Sequence, residues 1–254
     1  MSRTGETARP EASAAVERLV ALFATAPADE VAEVVAGAEL QDVRGALRRH
    51  IPEALDGRTA LQKHLLVFDL RGDGRLSWSD TFRGFRDVGL APSAAMAITT
   101  MSHVVMGFPS SGRALDWTMS LARIHLARHA ADTGLFDESL SPADLGRRID
   151  ELVARYGRTE DGRLGMKEFE AMIADNAARD RRKGVPLLRR TIGRSASSLE
   201  FGALVQLAGR RVDGESRTVS RDDLVDLYSG VLMYALLPPK GLAAAILRLR
   251  DLGA

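Results

Sequence analysis

Three of the five histidines and one acidic loop are the residues whose types and spacing could do chemistry. His64 falls among Leu61, Leu65 and Phe68, which recur at helical spacing and define one apolar face, so the pattern predicts an imidazole turned into the core. Such a ring is either a core histidine satisfied by hydrogen bonds or a ligand to a bound group. His125 and His129 are four residues apart and would stack on the flank of a helix whose apolar stripe is Trp117, Leu121 and Ile124. Two imidazoles at that spacing can share one ion, but no Glu follows His125 as in the zinc protease motif and no third ligand is evident; the other reading is a solvated flank. The chain has no cysteine, which excludes thiolate ligands and disulfides and leaves His, carboxylate, Tyr, Met and backbone groups to hold any metal or cofactor.

The acidic loop follows His64 directly. Asp69, Arg71, Asp73, Gly74, Leu76 and Asp80 occupy positions 1, 3, 5, 6, 8 and 12 of a calcium-loop frame. Asp69, Asp73 and Asp80 are the candidate metal ligands. Position 3, however, is the cation Arg71, and position 12 is an aspartate in place of the longer glutamate that chelates calcium through both oxygens. The frame therefore predicts a degenerate site that binds calcium weakly or not at all. Its structural parts remain: a sharp turn at Gly74, an apolar Leu76 able to pair with a partner loop, and Ser77 with Asp80 three residues on, a capping box for the exit helix.

The elements that must position these groups are helical. The hexapeptides Arg75-Leu-Ser-Trp-Ser-Asp80, Ser139-Leu-Ser-Pro-Ala-Asp144, Arg163-Leu-Gly-Met-Lys-Glu168 and Thr218-Val-Ser-Arg-Asp-Asp223 share an apolar loop residue, a small residue and an acid three positions later. Each sits between helical segments, the signature of helix-loop-helix units that cannot bury their apolar faces alone. The expected fold is mostly α, with about four degenerate EF-hand-like helix-loop-helix units in two pairs and extra N-terminal helices. The expected divisions are a flexible tail over 1–10, an N-terminal helical extension over 11–57 that breaks from Ile51-Pro52 through Asp56-Gly57, the paired units over 58–236, and a C-terminal amphipathic helix over 237–254. Trp117 to Ala131 is expected to be a helix.

Net charge is +1 with both signs interleaved, so no nucleic-acid footprint stands out, and Arg179 to Lys183 and Arg189-Arg190 read as solvated helix faces. The polar N-terminus carries no apolar core of a secretory signal, so the expected location is the cytoplasm, with room for peripheral membrane contact. Gly89 to Phe108 has no Asp, Glu, Lys or Arg, but Ser93, Thr99, Thr100, Ser102 and His103 make it too polar for a span; a buried helix or one lying in a membrane surface is expected.

Several segments together resemble one family. Leu61-Gln-Lys-His64 running into Phe68-Asp69, Thr81-Phe-Arg-Gly-Phe85 with Gly89, and Ile124-His125 to His129 leading into Asp132-Thr-Gly-Leu-Phe-Asp137 are similar to the caleosins. So are Arg155-Tyr-Gly-Arg158 to Leu164, Asn176-Ala-Ala-Arg179 and Tyr228-Ser-Gly-Val-Leu-Met-Tyr234, all in order over roughly residues 59 to 236. The resemblance implies a lipid-associated protein with one calcium-binding EF-hand, and the family includes haem peroxygenases that use a hydroperoxide to hydroxylate or epoxidise unsaturated fatty acids. Its two haem-linked histidines fall on His64 and His129, with His125 matching a further one. The implied cofactors are haem and calcium, the implied partners a fatty acid or lipid hydroperoxide and a peripheral membrane or lipid-droplet surface. The chain departs from the family at Arg71, at Ala130-Ala131 after the second histidine, and in the proline-rich knot, of which only Pro92 and Pro109 are present. The alternative to a peroxygenase is a non-enzymatic lipid-surface or interaction protein on the same scaffold.

Overall fold

A computed structural model describes residues 14–55, 57–112, 117–126, 140–158, 161–184, 186–211 and 216–253. Among them the chain is mostly helical. At the N-terminus α1 (Ala14–Thr25), α2 (Ala28–Gly37) and α3 (Leu40–Ala54) form because apolar residues return every three or four positions: Val16, Leu19 and Phe23, then Val31 and Val35, then Val43, Leu47 and Ile51 are all buried. The break expected from Ile51-Pro52 through Asp56-Gly57 starts later than the proline, since α3 continues to Ala54. Ile51 and Leu55 are both fully buried, and the Leu55 amide bonds the Ile51 carbonyl at 3.0 Å, so packing carries the last turn past the proline.

The short α4 (Ala60–Leu66) is started by a capping box, in which the Thr59 amide donates to Gln62 Oε1 at 2.9 Å and Thr59 Oγ1 accepts from the Gln62 amide. A turn leads to β1 (Arg75–Leu76) and to α5 (Trp78–Asp87), which is capped in the same way by Ser77 and Asp80. Next come α6 (Pro92–Ser102), a five-residue π-helical turn over His103–Gly107, and α7 (Phe108–Ser111). Where the sequence pattern predicts a helix from Trp117, the chain forms β2 (Met119–Ser120) and then a 3-10 helix, Leu121–Leu126. β2 pairs antiparallel with β1, setting Leu76 opposite Met119. Both side chains are fully buried, and that pairing overrides the helical periodicity.

The remaining elements are α8 (Pro142–Tyr156), α9 (Met166–Arg182), α10 (Leu187–Ala208), β3 (Arg210–Arg211), β4 (Arg217–Thr218), α11 (Arg221–Ser229), α12 (Val231–Ala235) and α13 (Pro239–Gly253). The loops of the third and fourth hexapeptides are zipped together, with Leu164 and Val219 exchanging backbone bonds of 3.0 and 2.8 Å. The first hexapeptide's loop is zipped to Met119–Ser120, outside all four repeats.

The ends of the chain close on each other. α13 packs against α1, α2 and α3, and Arg250 donates to the carbonyls of Leu22, Phe23 and Ala26 at 2.6–2.7 Å, at the end of α1 and just after it. α3 lies on α11 and α12 through Arg44 and Arg48, which both donate to Asp226, a carboxylate with no exposure. Removing Asp226 would leave Arg44 with Asp223 alone and Arg48 turned to solvent.

Candidate functional site

His64 is 8 % exposed, on the buried face of α4 that Leu61 and Leu65 define. Its ring meets Phe68 edge-on at 6.4 Å, and Phe68, fully buried, packs on Phe85 of α5 at 4.8 Å between centroids. α5 approaches this closely because residue 84 is glycine: a Cβ there would stand 2.0 Å from Phe68 Cδ1. On the other side Gly230, with φ of +86°, turns the chain between α11 and α12 against α4, and a Cβ there would fall 2.8 Å from Lys63 Cβ. The helix carrying His64 is thus wedged between two backbone close approaches.

His64 lines a narrow, largely apolar cleft that is partly open to solvent. The walls are Leu61 and Leu65 of α4, Phe85 of α5, Ile98 and Met106 from α6 and the π turn, Ala203, Leu204 and Leu207 of α10, and Leu227, Leu232 and Met233 from α11 and α12. Besides His64 its polar residues are Ser102 and Glu200. An apolar cleft with a few convergent polar groups is the form of a small-molecule site.

Of the three histidines predicted for the site, His64 is the one that the structure places in this pocket. The side chain of His125 and the whole of His129 lie outside the described residues. The structure adds Ser102 and Glu200. Ser102 follows Ile98 by one helical turn and was within reach of a periodicity argument. Glu200 was not, because nothing local ties α10 to α4.

Sequence reasoning also passed over a second buried histidine. His103 is 1 % exposed at the start of the π turn, where such turns often mark functional positions. Its place eight residues after Ala95 and four after Thr99, both fully buried, was the available signal. A carbonyl can only accept, so His103 Nδ1–H donates to the Trp117 carbonyl, while Nε2 faces Thr81 Oγ1 at 3.0 Å. Burial pushes this imidazole below its ordinary pKa, against the opposing pull of the Trp117 carbonyl and the charge of Asp80.

The acidic loop is engaged with itself. Asp69 accepts from the amides of Asp73 and Gly74 at 3.3 and 2.8 Å, one on each oxygen. Asp73 accepts from the Arg75 amide at 2.9 Å, and its other oxygen is 3.4 Å from Arg71 Nε. Asp80 Oδ2 takes three donors: the Ser77 amide at 3.0 Å, the Ser77 hydroxyl at 2.6 Å and Arg71 at 3.1 Å. Burial, the largest influence on Asp80, raises its pKa, but the Ser77 donors and Arg71 together hold it below the usual carboxylate range. This donor set does not fit a calcium ion, because a guanidinium stands among the carboxylates that would ligate it. Among the described residues no three His, Asp or Glu side chains converge on a bare-metal site. A single imidazole in an apolar setting is a donor of the kind haem takes, but the cleft is too narrow for the macrocycle as it stands and would have to open to admit it.

No helix among the described residues is long and apolar enough to cross a membrane. Met96, Val104 and Trp117 are nevertheless 53, 47 and 55 % exposed.

The family model for caleosin related proteins matches residues 56–237 of this chain. A curated relative named probable peroxygenase 4, from Arabidopsis thaliana, is 27 % identical over 127 residues, which cover 49 % of this chain and 64 % of that protein. The chain thus spans less than two-thirds of that relative's length. No solved structure matches the chain. Every wall of the His64 pocket lies inside residues 56–237, while α1 to α3 and α13 lie outside them.

Proposed function

The chain belongs to the caleosin family, and on that premise we propose that it is a haem-dependent peroxygenase that uses a lipid hydroperoxide to oxygenate an unsaturated fatty acid. The observation that carries this reading is His64 at the wall of an apolar cavity built wholly from the family-matched residues. His64 is the first candidate to hold the haem and His129 the second, with His125 beside it. Haem, when bound, supplies cleavage of the hydroperoxide O–O bond and delivery of one oxygen to a C–H or C=C bond.

The protein's own contributions follow from the pocket. The His64 imidazole would hold the haem, and its edge-on contact with Phe68 restrains the ring plane. Leu61, Leu65, Phe85, Ile98 and Leu204 exclude water and accept a hydrocarbon chain. Ser102 and Glu200 are the polar residues placed to orient the hydroperoxide or the fatty-acid head group.

The test is direct. Protein produced with ample haem is expected to show a Soret band and to epoxidise an unsaturated fatty acid in the presence of a lipid hydroperoxide, and His64→Ala is expected to lose both. Absence of the Soret band in the unaltered protein overturns the reading.

A second reading is favoured by the exposed Met96, Val104 and Trp117: a lipid-surface protein without redox chemistry. It expects vesicle binding that is reduced by Met96→Ser with Trp117→Ser, released by alkaline wash, and accompanied by no haem uptake. Peripheral contact is also compatible with the peroxygenase, so the Soret band decides between the two.

A further inference from the structure

We propose that Arg71 is the first loop's own cation: its guanidinium occupies the role of the calcium ion, so that the loop closes, and the helix carrying His64 is seated, without metal. A calcium loop holds several carboxylates against one another, and a divalent ion normally offsets their repulsion. Here Arg71 reaches both Asp73, at 3.4 Å, and Asp80, at 3.1 Å, from the third position of the same loop. The remaining carboxylate, Asp69, is held by two backbone amides.

Arg71 and Asp73 are half exposed, but the Asp80 side chain is only 11 % exposed and gathers three donors on one oxygen, which marks a built contact. Arg71 is therefore more than one charge on a solvated face. Gly72 and Gly74, both at positive φ, supply the turns that bring position 3 back over position 12.

The closed loop bears on the pocket through packing. The Gly74 carbonyl accepts from the Leu121 amide at 2.9 Å, and the Leu121 carbonyl accepts from Gln62 Nε2 at 3.0 Å, between the pocket residues Leu61 and His64 of α4. Asp69 follows Phe68, the ring on which His64 rests. A chain that closes this loop with its own guanidinium keeps that arrangement at any calcium concentration.

The experiment follows thermal unfolding and titration calorimetry of the full chain with calcium in large excess and with chelator, neither of which depends on haem or on turnover. The unaltered protein is expected to show the same Tm in both and no calcium binding heat. Arg71→Met, which keeps the stem and removes the charge, is expected to lower Tm by about 2–4 °C without calcium. Arg71→Asn, and Arg71→Asp combined with Asp80→Glu, are expected to make Tm rise with calcium, the second more than the first. A calcium-dependent rise in Tm of the unaltered protein overturns the proposal, as does an Arg71→Met protein as stable as the unaltered chain. These outcomes are independent of whether the protein loads haem, so this proposal and the peroxygenase reading fail separately.

Discussion

His64 and His103 are both buried, yet their surroundings assign them opposite tasks. His103 sits between a carbonyl and a hydroxyl in a polar cage made by α5, the π turn and the start of β2. His64 sits against aromatic and aliphatic side chains at the wall of a cavity. A buried ring locked by polar neighbours holds elements together, whereas a buried ring beside open apolar space can meet a ligand. Burial alone, which is all that helical spacing predicts, does not separate the two.

The largest expected effect lies in the support that both rings share. Gly84→Val drives a branched side chain into Phe68, so it is expected to cost about 3 kcal/mol in denaturant unfolding and to reduce uptake at the His64 pocket together with stability. Unchanged uptake in a destabilised protein would show that Phe68 does not set the position of His64.

The histidines themselves come next. His103→Ala leaves the Trp117 carbonyl without its imidazole donor and is expected to cost about 2 kcal/mol while leaving haem content in place. His64→Ala, which enlarges an existing cavity, is expected to cost less, about 1 kcal/mol, and to abolish haem content. Equal loss of haem from both variants would erase the distinction. Ala203→Phe fills the pocket from the α10 side; it is expected to change stability by no more than about 1 kcal/mol and to block fatty-acid uptake.

The smallest effect is a pH dependence. His103 has a folded pKa below its unfolded value of about 6.5, so the unfolded chain takes up a proton more readily and the ring's contribution is complete above that pH and lost as pH falls below it. Unfolding free energy measured from pH 7.5 to 5.5 is expected to decline, and His103→Gln is expected to flatten the decline. Asp80, whose pKa is depressed, contributes in the same direction only at lower pH, in the carboxylate range, so the two losses separate on the pH axis.

Much of the architecture was legible because it is local. Ser77 with Asp80 and Ser220 with Asp223 cap α5 and α11 reciprocally, and Ser141 accepts from the Asp144 amide at the start of α8, since a hydroxyl and an acid three residues apart are within reach of each other at a helix start. The inward turn of His64 followed from its spacing with Leu61, Leu65 and Phe68. The conflict at Arg71 followed from its position in the loop frame.

Other features were decided only when distant segments met. Met119 rather than Leu140 faces Leu76, because strand partners are chosen by what the folded chain brings alongside, and four similar hexapeptides do not say which loops will pair. Pro52 stays within α3 because Ile51 and Leu55 are buried on both sides of it. Asp226 draws Arg44 and Arg48 across more than 170 residues of chain, and Glu200 joins His64 at the pocket from a helix with no local tie to α4. From its sequence alone this chain determined its helices, their caps and which faces would be apolar, for these depend on neighbours within a turn or two; which buried histidine borders a cavity depends on packing between segments far apart in the chain, and only the tertiary structure decided it.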